Sequence, residues 1–119
     1  MKALSVRQPY ARQILTGEKK IEYRSWTTDY RGPILICSSA SWAVDEDEEF
    51  PRPSPEVMKR DYPRGVAVCV VDLVRINDYC KYNRRFCDWY LANPRPVKQF
   101  PVKGRLHLFD VPDELIELI

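Results

Sequence analysis

Gly17-Glu18-Lys19-Lys20-Ile21-Glu22-Tyr23-Arg24 is the stretch from which the fold is read. From Lys20 to Arg24 the residues alternate strictly, with Ile21 and Tyr23 on one side and Lys20, Glu22 and Arg24 on the other. That period of two marks a strand with two unlike faces. Gly17 stands where a helix ends, since glycine accepts the left-handed conformation of a helix C-terminus. Reading backwards, Pro9 suits the first position of a helix running to about Thr16, in which Tyr10, Ala11, Ile14 and Leu15 share the core-facing stripe. Before it, Lys2 to Val6 reads as a short first strand. Reading forwards, Tyr30-Arg31-Gly32-Pro33 turns the chain into a third strand, Ile34 to Cys37.

The rest of the chain follows the same logic. Ser38 to Pro53 is polar, acidic and proline-bearing, and reads as a loop with a helical turn near Trp42. Ser54-Pro55-Glu56 opens a short helix, with Ser54 as its cap, and Pro63 and Gly65 stop it. Val66 to Ile76 is the longest strand. Residues 77–85 are irregular and basic. Phe86 to Leu91 and Arg105 to Val111 read as two more strands, separated by a proline-rich crossing that begins Asn93-Pro94-Arg95-Pro96. Asp113 to Ile119 reads as a terminal helical turn. Six or so short strands with two or three short helices make an α+β chain. A small, mostly antiparallel sheet closed into a barrel removes its own edges, so a β-barrel is the expected architecture. No repeat or linker divides residues 1–119, which are expected to form a single domain.

Composition narrows the function classes. The chain is 45% hydrophobic and 30% charged, as expected of a globular protein and not of a disordered one. No apolar run spans a bilayer, and Arg7-Gln8-Pro9 interrupts the opening hydrophobic residues too early for a signal peptide, so a cytoplasmic protein without membrane contact is expected. The four cysteines, 37, 69, 80 and 87, form no CxxC pair. They read as free thiols, with Cys37 and Cys69 as small core residues. Cys80, Cys87 and His107 lack a fourth ligand and zinc-type spacing, so neither a metal nor a cofactor is expected. Net charge is only +2 but is unevenly spread. Residues 1–36 carry seven Lys and Arg against three Asp and Glu, residues 79–107 carry seven against one, and compensation is concentrated in Asp45-Glu46-Asp47-Glu48-Glu49. A basic face of that kind suits a polyanionic partner.

Gly17 to Arg24 resembles the signature GxKxxExR of the ASCH domain superfamily. Ala3-Leu4-Ser5-Val6-Arg7-Gln8-Pro9-Tyr10-Ala11 is similar to that family's opening strand and helix entry, and Arg24-Ser25-Trp26 with Tyr30 to Ile36 to its next turn and strand. Trp89 to Pro94 and Val102 to Phe109 are similar to its closing strands. The resemblance implies a barrel akin to the PUA domain, with the signature strand lining a cleft, and an association with RNA. Some small members resemble amidohydrolases acting on acylated cytidine, and others look like ribonucleases. The deacylating members carry a threonine where this chain has Glu22, so their catalytic set is not intact here.

On this reading Lys19, Glu22 and Arg24 line a cleft that binds RNA, a nucleotide or a modified nucleoside. Arg24 can grip a phosphate bidentately and Lys19 as a point charge, while Glu22 can accept from an exocyclic amine. Trp26 is the preferred aromatic for stacking a base. Ser39, at the end of the third strand, and Arg7 and Arg95, from the two basic segments, complete the candidate set. The alternative is a hydrolase in the same cleft, an acylated-cytidine amidohydrolase or a ribonuclease, with Lys19 and Glu22 as its catalytic groups. His107, alone in a strand pattern, reads as structural or exposed. The acidic run 45–49 is expected to stay solvated and to compete with RNA for the cleft.

Overall fold

A computed structural model of the chain describes residues 1–43, 52–79 and 86–119. Six strands, β1 (Lys2–Gln8), β2 (Ile21–Arg24), β3 (Gly32–Trp42), β4 (Ala67–Asp78), β5 (Cys87–Pro96) and β6 (Phe109–Asp110), form one sheet in the order β2-β5-β4-β3-β1-β6. Two helices, α1 (Tyr10–Thr16) and α2 (Pro55–Asp61), and a 3-10 turn at Asp113–Leu115 accompany it. The sequence and the structure agree on a mostly-β α+β chain. They differ on closure, since the sheet is mixed and is not a closed barrel. β1 and β3 run parallel, with Leu4 opposite Ile36 and Ser5 opposite Cys37, because α1 and β2 carry the chain away and back between them. The other pairs are antiparallel, and the edges β2 and β6 do not pair with each other.

Both faces of the central strands are covered, which explains the unbroken apolar runs of β3 and β4. On one face Leu4, Val6, Ile34, Ile36, Val71, Leu73 and Trp89 pack with Ala11 and Ile14 of α1. On the other, Ala3, Leu35, Cys37, Val70 and Val97 meet Phe109 and Val111. Cys37 and Cys69 are fully buried, as expected of core residues, and burial pushes both thiols up to about 12.

Several boundaries move. Ser38 to Trp42 continues β3 instead of forming a loop, and Ala43 N–H donates to Gln8 C=O at 2.7 Å. β5 runs on through Pro94 and Pro96. The β2 ladder ends opposite Tyr90, with Leu91 N–H still donating to Lys20 C=O at 2.9 Å, and both prolines lie beyond it, where a missing N–H breaks no β2–β5 ladder bond. Of the expected strand 105–111 only Phe109 and Asp110 pair, while His107 adopts φ 60°. The cap of α2 is as expected, with Ser54 Oγ accepting from Val57 N–H at 3.3 Å. The acidic run 45–49 and Cys80 lie outside the described residues.

Gly17 closes α1 at φ 84°, its N–H donating to Ile14 C=O at 3.2 Å. An added Cβ would meet nothing within 4 Å, so the backbone angle alone selects glycine. Gly17→Ala is therefore expected to cost about 1 kcal/mol, and Gly17→Asn less. Urea unfolding measures both, and an unchanged midpoint for the alanine variant would contradict this account.

Candidate functional site

β2 is an edge strand with its polar side turned inward. Glu22 is 6% exposed and Tyr23 60%. Glu22 stands opposite Trp89 of β5, whose fully buried ring donates from Nε1 to Trp26 C=O at 3.2 Å. A carboxylate in that position needs partners. Its Oε1 accepts from Tyr23 N–H at 3.0 Å, and Oε2 lies 3.9 Å from Arg24 Nη2. The same Nη2 donates to Ser5 C=O at 2.7 Å, so Arg24 ties β2 to β1 across the sheet's open side.

That tie forms one wall of a cleft of about 300 Å³ lined by Ser5, Arg7, Tyr10, Glu22, Tyr23, Arg24 and Ser39. Among the described residues, three of its side chains carry buried polar atoms without a hydrogen-bond partner, namely Ser5 Oγ, Glu22 Oε2 and Arg24 Nε. A hydroxyl, an acceptor and a donor left unmatched in one place make a set that a polar ligand could satisfy.

The sequence candidates separate. Glu22, Arg24, Ser39 and Arg7 meet at this cleft. Lys19 lies beside it, its Nζ 4.8 Å from the Tyr23 ring centroid and 5.2 Å from that of Tyr10, and it also borders an apolar pocket with Ile14, Val71 and Leu91. Trp26 is half-buried, edge-on to Trp89 and to His107 at 4.7 Å each, and packs on the core. Arg95 is held by Asp72, with Nη2–Oδ1 at 2.9 Å and Nη1–Oδ2 at 3.3 Å. Ser38 is buried and bonds the Val66 backbone. Sequence reasoning missed Ser5, Tyr10 and Tyr23. Tyr10 fitted the core stripe of α1, Tyr23 the apolar side of β2, and Ser5 carried no signal of its own.

Removing Arg24 strips Glu22 of its cation and Ser5 C=O of its donor. Arg24→Ala is expected to cost about 2 kcal/mol, and adding Glu22→Gln to recover part of it. A double-mutant cycle by denaturant unfolding reads this coupling, and strict additivity would show the two side chains to be independent. The Asp72 pair has a pH signature. Hydrogen bonds from Arg95, then Asn93, hold the Asp72 carboxyl below its ordinary 3.8. Its stabilisation is present above that ordinary value and is lost as pH falls through the lowered one. Asp72→Asn should flatten this acid limb of the stability profile.

Among the described residues no helix is long and apolar enough to cross a membrane, and no three His, Cys, Asp or Glu side chains group as metal ligands. The chain is 28% identical to activating signal cointegrator 1 of Homo sapiens and to that of Mus musculus, over 85% of its own length in each case. It spans only 20% of the length of those proteins. Two single-substitution variants of ZmASCH from Zymomonas mobilis share the fold at 13% identity. Their TM-scores are 0.59 and 0.61, with 95% of this chain and 91% and 89% of those chains covered. Residues 4–101 match the profile of the ASCH domain, and the chain belongs to the ASCH domain family.

Proposed function

We propose that this chain is an RNA- or nucleotide-binding module whose ligand enters the cleft between β1, β2 and the start of α1. The observation that carries the reading is the convergence of Ser5 Oγ, Glu22 Oε2 and Arg24 Nε, all buried and without a hydrogen-bond partner, on one cleft. Glu22 accepts from an exocyclic amine such as cytosine N4. Arg7, exposed at the rim, meets a phosphate as a charged contact. Tyr23 offers a ring for stacking, a role the sequence suggested for Trp26. The family's association with RNA points the same way. A hydrolase has less support, because Lys19 Nζ rests on two tyrosine rings.

The test is binding of single-stranded RNA across a salt series. With about four phosphates contacted, log affinity should fall with log salt at a slope near roughly −3. Arg7→Ala should reduce that slope, and Glu22→Gln should weaken binding about tenfold. Salt-independent binding, or binding that ignores both changes, counts against the site. Turnover of acylated cytidine, or cleavage of the RNA, would favour the hydrolase.

A further inference from the structure

The cleft does not end at Ser5 and Ser39. Both residues also line a second, wider cleft of about 530 Å³, whose other wall is the segment Val102 to Leu106. That wall is fixed by the backbone: Val102 N–H donates to Gly65 C=O at 3.0 Å, and Gly65 N–H to Ser38 C=O at 2.9 Å. It also approaches β1 closely at Gly104. A Cβ there would lie 2.6 Å from Ser5 Oγ, the hydroxyl left without a partner where the two clefts meet. Lys103 and Arg105, on either side of Gly104, are exposed and enter no ion pair among the described residues. Among the described residues no acidic side chain lines the second cleft.

Among the described residues, the joined groove therefore sets Arg7, Arg24, Lys103 and Arg105 against one carboxylate, that of Glu22. The second compartment, the wider of the two, offers cations and serine hydroxyls beside the base-recognition groups of the first. We propose that the second cleft is a phosphodiester subsite, so that the ligand is an oligonucleotide held across both clefts. Its base sits beside Glu22, and the adjoining backbone phosphates lie against Lys103 and Arg105. This rests on the nucleotide reading of the first cleft and names the compartment that takes the strand beyond the first nucleotide.

The experiment compares the four nucleoside monophosphates with matching RNA homopolymers of about eight nucleotides, a length typical of single-strand sites. Titrations use the full chain and the Lys103→Ala/Arg105→Ala variant. Both positions are exposed, and circular dichroism checks that the fold is kept. The parent should bind at least one homopolymer more than tenfold tighter than its monophosphate. The variant should lose about tenfold for the homopolymer and less than twofold for the monophosphate. Its salt slope should become shallower by about 1.4, the release expected for two phosphates on a single strand. If the parent binds a monophosphate but no homopolymer more tightly, or if the variant keeps affinity and slope, the subsite is wrong and the first cleft stands. If the parent binds neither class, the nucleotide reading fails and takes the subsite with it.

Discussion

The guanidinium of Arg24 reaches from an edge strand to the carbonyl of Ser5 on β1 while standing beside the buried carboxylate of Glu22. Most of the site depends on that placement. Among the described residues, β6 pairs only with Lys2 and Ala3, which leaves β1 without a strand neighbour on that side from Leu4 onward. β2, four residues long at the opposite edge, pairs only with β5. Hydrogen-bond ladders therefore do not join the two ends, and a side chain crosses the gap. A closed ladder would have filled with main chain the space that the cleft now occupies. Closure by one arginine holds the strands in place and leaves polar atoms unmatched between them.

How much of this was legible depends on the kind of information involved. Strict alternation in Lys20 to Arg24 told which residues share a face, and Glu22 and Arg24 do line one cleft, while Lys20 precedes β2 and borders the apolar pocket instead. It did not tell which face turns inward, because burial follows hydrophobicity only where no charged pair competes, and Glu22 with Arg24 is such a pair. The GxKxxExR pattern was the signal that reversed the ordinary expectation. β3 and β4 were legible as strands because continuous apolar runs mean cover on both faces. The parallel pairing of β1 with β3 was not, since strand direction depends on where a crossover delivers the chain, and no local pattern records that.

Residues 105–109 were misread for a related reason. Arg105-Leu106-His107-Leu108-Phe109 alternates like a strand, yet Leu106 is 88% exposed and His107 sits at φ 60°. Alternation is a necessary mark of a half-buried strand, and it also arises in a turn whose charged residues face solvent. Gly104 held the better clue. Its missing side chain allows this segment to approach Ser5, a contact between residues a hundred positions apart that the sequence alone does not connect. The same blindness hid Ser5 as a site residue, because its role comes from meeting Arg24 on one side and Gly104 on the other.

The inward turn of Glu22 also settles what becomes of Tyr23 and Lys19. With the polar face of β2 buried, Tyr23 must point outward, which in isolation wastes a large apolar surface. Lys19, at the end of the turn set by Gly17, lays its ammonium over that ring and over the ring of Tyr10 from α1. A cation shared by two rings contributes about 0.5–1 kcal/mol at an exposed site. Here it also links the edge strand to the helix at the cleft rim, which both tyrosines line. The charges of the signature thus divide the work. Glu22 and Arg24 form the polar interior, while Lys19 orders the aromatic surface that their burial forces into solvent, so that one strand supplies both an inner wall of the cleft and part of its rim.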